Sequence, residues 1–117
     1  MKSELSPTKT QLVFKLEKEP VGFGQVFTQN CEVKIKRTDG PLYLNYEKRA
    51  ERIVGSYKNL RQEGEMILAD IQLAKSLAPI ENRFEYAIEG AVIKKNNNGE
   101  VESIEISGVG AIMENKS

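Results

Sequence analysis

The sequence predicts a mainly β fold, a small single-domain antiparallel β-barrel or sandwich of six to eight strands with at most one or two short helical turns. Three observations predict it. Apolar and polar residues alternate in short runs, which is the side-chain period of a strand. Turn signals separate the runs, at Thr38-Asp39-Gly40-Pro41, Glu63-Gly64 and Asn96-Asn97-Asn98-Gly99. No stretch sustains the 3.6-residue period of an amphipathic helix over three turns.

Residues 1–10 are polar, include Pro7 and read as a flexible N-terminal arm; residues 11–117 read as one β-rich domain. In the first strand Leu12, Phe14 and Leu16 fall on one face, with Val13, Lys15 and Glu17 on the other. Glu19-Pro20 interrupts it, and Val21 to Thr28 reads as a second strand in which Gly22 and Gly24 mark a bend or bulge. Cys31, Val33 and Ile35 then alternate with Glu32, Lys34 and Lys36. Leu42 and Leu44 follow the turn at Thr38–Pro41, so the two runs predict a hairpin.

Tyr46 to Arg52 is a charged connection with room for one helical turn, and Ile53, Gly55 and Tyr57 open the next strand. Met66 to Leu73 has Ile67, Ala69, Ile71 and Leu73 opposite Met66, Leu68, Asp70 and Gln72. Both faces are largely apolar, which predicts a central strand. Lys75 to Arg83 is irregular or briefly helical around Pro79. Phe84 to Ile93 and Val101 to Met113 then form a long hairpin about the asparagine-glycine turn, since Asn and Gly tolerate positive φ.

The inventory of side chains excludes several function classes. With 39% hydrophobic and 29% charged residues, the 117-residue chain can build one modest core. Seventeen basic and seventeen acidic residues cancel, removing the long-range attraction of a general nucleic-acid or anionic-membrane binder and leaving little repulsion against self-association. There is no histidine, so neither a Ser-His nor a Cys-His nucleophile pair can form, and no histidine-rich metal site. No cofactor is predicted. Cys31 is the single cysteine, and it reads as a small core residue before a reactive thiol. The absence of a signal-like apolar stretch or membrane-length run predicts a cytoplasmic protein, or part of something assembled in the cytoplasm.

What chemistry remains is thin. Lys75-Ser76 and Ser56-Tyr57-Lys58 bring serine near lysine, but neighbours along a strand point to opposite faces, and solvated side chains are the plainer reading. Glu85 and Glu89 stand roughly 13 Å apart by the strand rise, wide even for an inverting glycosidase pair. Glu100, Glu102 and Glu105 read as a charged outer face. Asp70 interrupts an apolar strand, either as a pocket residue or, more plainly, as an edge-facing or lysine-paired carboxylate; Asp39 is the only other aspartate. Gly22-Phe23-Gly24 lacks the third glycine and helix of a dinucleotide loop. Basic clusters at Lys34, Lys36 and Arg37, at Lys48, Arg49 and Arg52, and at Lys94 and Lys95 interleave with Phe27, Tyr43, Tyr46 and Tyr57, a pattern that also suits a single-strand nucleic-acid-binding barrel.

From Leu42 onward the features follow a recognisable order. Leu42-Tyr43-Leu44-Asn45-Tyr46 precedes the charged loop Glu47 to Arg52 and Ile53-Val54-Gly55. Arg61-Gln62-Glu63-Gly64 leads into Met66 to Leu73. Tyr86-Ala87-Ile88-Glu89-Gly90 enters the hairpin, which returns to Met113-Glu114-Asn115. This order resembles the head-maturation (prohead) proteases of tailed phages, which have a herpesvirus-protease-like β-barrel. The resemblance places Tyr46 where the family has its catalytic histidine and Ala87 where it has its nucleophilic serine. The loop after Tyr46 is longer than usual in that family, and the segment between Leu73 and Phe84 is shorter. It therefore implies a catalytically degenerate domain, not an enzyme, which serves capsid assembly through protein contacts or self-association as a homo-oligomer. Apart from the resemblance, Tyr43, Tyr57, Asp70, Arg49 and Arg52 are the candidate surface or pocket contacts. Two alternatives stand beside it: a small nucleic-acid-binding barrel, and a hydrolase using serine and lysine.

Overall fold

The computed structural model describes residues 7–17 and 26–113. Seven strands form one sheet: β1 (Lys9–Lys15), β2 (Phe27–Ile35), β3 (Gly40–Leu44), β4 (Ile53–Glu63), β5 (Met66–Leu73), β6 (Phe84–Lys95) and β7 (Val101–Met113). Two short 3-10 segments interrupt them, Ala50–Arg52 and Lys75–Arg83, the latter kinked at Ile80 beside Pro79. The chain is mainly β, as its alternation predicts. Two refinements emerge: the sheet is mixed, not wholly antiparallel, and it does not close.

Both refinements come from β7, which has three neighbours and only two edges. β6 runs antiparallel to it from Phe84↔Met113 to Lys95↔Val101. Along the opposite edge β2 pairs parallel up to Ile35↔Ile106, and β3 resumes parallel pairing at Tyr43↔Gly110. Thus β2 and β3 are not the hairpin that Thr38–Pro41 suggested. They run in the same direction along one edge of β7, and the turn residues make a jog between them. Local turn signals record that the chain leaves a strand, not which strand it joins next.

The remaining order is β1-β5-β4-β3, all antiparallel. β5 is central, and Ile67, Ala69, Ile71 and Leu73 are all buried, as their alternation predicts. The β4–β5 turn uses Gly64 at φ +64°, and the β6–β7 turn uses Gly99 at φ +80°. The second turn is locked by Asn96: its Oδ1 accepts from the backbone N–H groups of Asn98 and Glu100, each at 2.9 Å.

β-Bulges re-aim several strands, among them β1, β4 and β7. On β1 the ladder passes from Leu12↔Leu68 to Phe14↔Ile67, leaving Val13 as the extra residue. This reverses the predicted face: Val13 is buried, whereas Leu12 is 50% exposed. Leu16 remains in the core, and Phe14 packs edge-on against Phe27, their centroids 5.5 Å apart. On β4 the ladder slips between Lys58 and Arg61, where Asn59 takes φ +55°; Tyr57 and Leu60, three apart, are then both buried. On β7 the partners shift from Glu89↔Gly108 to Gly90↔Ile106, so Ser107 is extra. Ile104 and Ile106 are buried before it, Val109 and Ala111 after it.

Strand β1 begins at Lys9, inside the predicted arm, because Lys9 pairs with Glu81 at 2.6 Å and Thr10 donates to Asp70 at 2.8 Å. The predicted strand from Val21, its Gly22 and Gly24, and the rest of the arm lie outside the described residues except for Pro7–Thr10 and Val26–Thr28; β2 itself starts at Phe27. Cys31 is buried in the core.

The burial of Ile67 on β5 and the exposure of Leu12 on β1 predict unequal sensitivities. Ile67→Ala should lower the unfolding free energy by about 2–5 kcal/mol and Leu12→Ala by less than about 1 kcal/mol, read from urea denaturation. Comparable losses at both sites would show that Leu12 belongs to the core.

Candidate functional site

The jog between β2 and β3 leaves Ser107–Val109 of β7 without a ladder partner on that edge among the described residues. Polar side chains gather there. Leu44 ends β3 at a tight turn whose central residues, Asn45 and Tyr46, have φ of +52° and +61°, closed by the Glu47 N–H donating to the Leu44 carbonyl at 3.1 Å. This left-handed turn folds Tyr46 back over β7. A Cβ placed on Gly110 would stand 2.5 Å from Cε1 of the Tyr46 ring, so only glycine fits beneath it. The Tyr46 hydroxyl donates to the Ile88 carbonyl at 3.4 Å.

Ala87 is the direct cross-strand partner of Gly110. Directly opposed residues share a face, so Ala87 lies on the side that Tyr46 covers. The two positions singled out in the sequence are therefore brought together, separated by 41 residues in the chain yet meeting across one glycine.

Around them lie Glu89, Lys48, Ser107 and Tyr57. Lys48 donates to Glu89 and also sits 4.9 Å above the Tyr43 ring, a cation–π contact. Ser107 Oγ donates to the Glu89 carbonyl at 3.3 Å. Tyr57 is buried, its hydroxyl donating to the Arg37 carbonyl at 3.4 Å. Burial first, and then the Glu89 carboxylate, push the Tyr46 phenol above its ordinary value. Burial also dominates the upward shift at Tyr57; Arg37 opposes it, and Asp39 and Glu89 add to it. Both phenols therefore stay protonated at neutral pH, and neither offers a phenolate as base or nucleophile.

The other predicted positions go elsewhere. Arg49 and Arg52 stay in the charged loop: Arg49 approaches Glu47 and Glu51, and Arg52 Nε stands 3.0 Å from Glu47 Oε2 as an ion contact without hydrogen-bond alignment. Asp70 is neither edge-facing nor held by lysine. It sits on central β5 opposite Thr10 and Lys58, and its carboxylate accepts from Thr10 Oγ1 at 2.8 Å, Asn59 Nδ2 at 2.9 Å and Arg61 at 3.3 Å. It ties β1 to the β4 bulge. The hydrogen bonds from Asn59 and Thr10, with Arg61 beyond them, hold its pKa below the usual carboxylate value.

The carboxylate series is structural: Glu100 accepts from Asn96, Glu102 pairs with Lys94, and Glu105 pairs with Lys36. Among the described residues no cluster of three metal-ligating side chains occurs, and no helix is long and apolar enough to cross a membrane. Lys75 and Ser76 lie in the second 3-10 segment, between β5 and β6. Gly110, the residue on which the site turns, gave no signal in the sequence, since its role depends on a ring arriving from a distant turn.

Comparison with protein-family models, with curated proteins and with solved structures finds no match to this chain.

Two predictions test these contacts. Gly110→Ala should destabilise the fold, and it should cost less in a Tyr46→Ala background; a double-mutant cycle in urea should give a coupling of about 0.5–3 kcal/mol. Additive effects would separate the two residues. For Asp70, a depressed folded pKa means that its contribution is present above the unfolded value, about 3.9, and is lost as pH falls through the folded one. The stability gap between wild type and Asp70→Asn should therefore be full near neutral pH and shrink in acid, followed by denaturation across that range. A gap that widens in acid would contradict it.

Proposed function

We propose that this chain is a non-catalytic, phage- or prophage-related assembly domain that works through protein contacts. The observation that carries the reading is the seating of Tyr46 on Gly110 opposite Ala87. At the place where the resemblance puts a base and a nucleophile, this chain has a protonated phenol and a methyl group. Removing such members of a catalytic unit removes most of its rate enhancement. Lys48, Glu89 and Ser107 satisfy one another or the backbone, beside an open depression of about 480 Å³ that Tyr46, Glu89 and Ser107 line.

The nucleic-acid alternative needs exposed aromatic rings beside unpaired cations. Phe27 and Tyr57 are buried, Tyr43 lies under Lys48, and Lys36, Lys48, Arg49, Arg52 and Lys94 all face carboxylates. That arrangement favours contact with protein. The corresponding location is the bacterial cytoplasm or an assembled phage particle.

A fluorophosphonate probe incubated with the purified protein and read by intact mass should leave every serine unlabelled. Labelling of one serine, blocked by prior denaturation, would overturn the non-catalytic reading. Genes for portal or major capsid protein beside this one are the expected setting.

A further inference from the structure

The sheet path β1-β5-β4-β3-β7 ends with β6 on the far edge of β7, so β1 and β6 approach each other without forming a ladder. An apolar cleft of about 370 Å³ lies in this seam, lined by Phe14, Phe27, Ile88, Val92 and Ile104. Its size is that of a small ligand or side-chain pocket, and its lining is of the kind such pockets share. Three charged residues also line it. Lys15 reaches Glu65 at 3.8 Å and Glu105 faces Lys36 at 3.6 Å, whereas Glu17, only half-buried, has no ion pair among the described residues. Among the described lining residues the charges are thus two carboxylates, Glu17 and Glu105, against one cation, Lys15, at an apolar surface.

Gly90 and Ala91 border the cleft on β6 and are exposed. Their small side chains leave the β6 backbone accessible, and among the described residues β6 pairs only with β7. The accessible stretch is short. The ladder passes from Val92↔Ile104 to Lys94↔Ser103, so Ile93 is bulged out, and Lys94 and Lys95 follow. A bulge and lysines are the devices that stop two identical edges from pairing. A second β6 would bring its own bulge to the same place, which argues against another copy of this chain as the occupant.

We propose that the seam between β1 and β6 receives an extended segment of a partner protein, which places an apolar side chain against Phe14 and Phe27 and a basic side chain beside Glu17. The segment aligns with β6 over Gly90–Val92, and the acidic rim selects its charge. This rests on the protein-contact reading above and names the surface and the chemistry of the partner.

The test titrates two short synthetic peptides, one alternating leucine with lysine and one alternating leucine with glutamate, into the isotopically labelled full chain. The lysine peptide should shift the amide resonances of Glu17, Gly90, Ala91 and Glu105 saturably, and the glutamate peptide should bind more weakly. Glu17→Gln should weaken the lysine peptide about two- to fivefold at low salt, the range of one exposed ion pair. Ala91→Arg should abolish the shifts while the remaining resonances stay in place. Equal binding of both peptides, or no saturable shifts in this set, would overturn the proposal. So would concentration-dependent shifts there without peptide, which would assign the cleft to a second copy. Loss of the peptide response without fluorophosphonate labelling defeats only this surface, whereas labelling defeats the non-catalytic reading itself.

Discussion

The constraint on which this fold depends is that β7 must be satisfied on both edges. Gly108 to Ala111 is buried, and buried backbone N–H and C=O groups need partners. β6 supplies them along one side. No single strand supplies the other: β2 pairs up to Ile106 and β3 at Gly110 and Ala111, and between them Ser107–Val109 have no ladder partner on that edge among the described residues. The bulge at Ser107 falls where one gives way to the other. It lets β7 keep an apolar face inward on both sides of the change, with Ile104 and Ile106 before it and Val109 and Ala111 after it. A regular strand would have turned one of those pairs to the outside, because the side-chain period is two.

The same change of partner creates the site. Where β2 leaves and β3 has not yet arrived, β7 is lined by Gly108 and approached by the Tyr57 hydroxyl. The jog also explains Gly40: a Cβ there would stand 3.2 Å from the Tyr57 ring. Two tyrosines thus lie along one strand, Tyr57 near Gly108 and Tyr46 over Gly110. The residues beneath them are small because the rings occupy the space that larger side chains would take. At the other end of the sheet path the irregularities have a different result. Val13 on β1 and Ile93 on β6 are both extra residues on strands that border the seam, and the sheet stays open there.

What the sequence discloses follows the range of each interaction. The face of β5 is legible because eight residues alternate without interruption and both neighbours are antiparallel. The β6–β7 hairpin is legible because Asn96 to Gly99 encodes its turn within four residues. Val13 could not be read, since an extra residue is defined only against a partner strand and Leu12-Val13-Phe14 is uniformly apolar. The parallel pairings of β2 and β3 were hidden for the same reason: nothing within Cys31 to Leu44 records that both runs will align along one edge of β7. The site divides likewise. Tyr46 and Ala87 were marked by their order in the chain, but their meeting across Gly110 depends on three strands and a turn. The pairing of Asp70 with Arg61 in place of lysine depends on the Asn59 bulge, which slips the ladder and carries Arg61 within reach.

The backbone at Asn45 and Tyr46 shows how firmly the ring is held over Gly110. Two consecutive residues other than glycine occupy left-handed φ, which costs about 1–3 kcal/mol each. Asparagine tolerates that region comparatively well; tyrosine does not. The cost must be offset locally, and the contacts available are the burial of the ring over Gly110, the bond to the Ile88 carbonyl and the Asn45 N–H donating to Ala111 at 2.8 Å. A ring in this position occupies the space above Gly110 on the face where Ala87 also lies. The turn that strains the backbone is therefore the turn that brings the ring over Gly110.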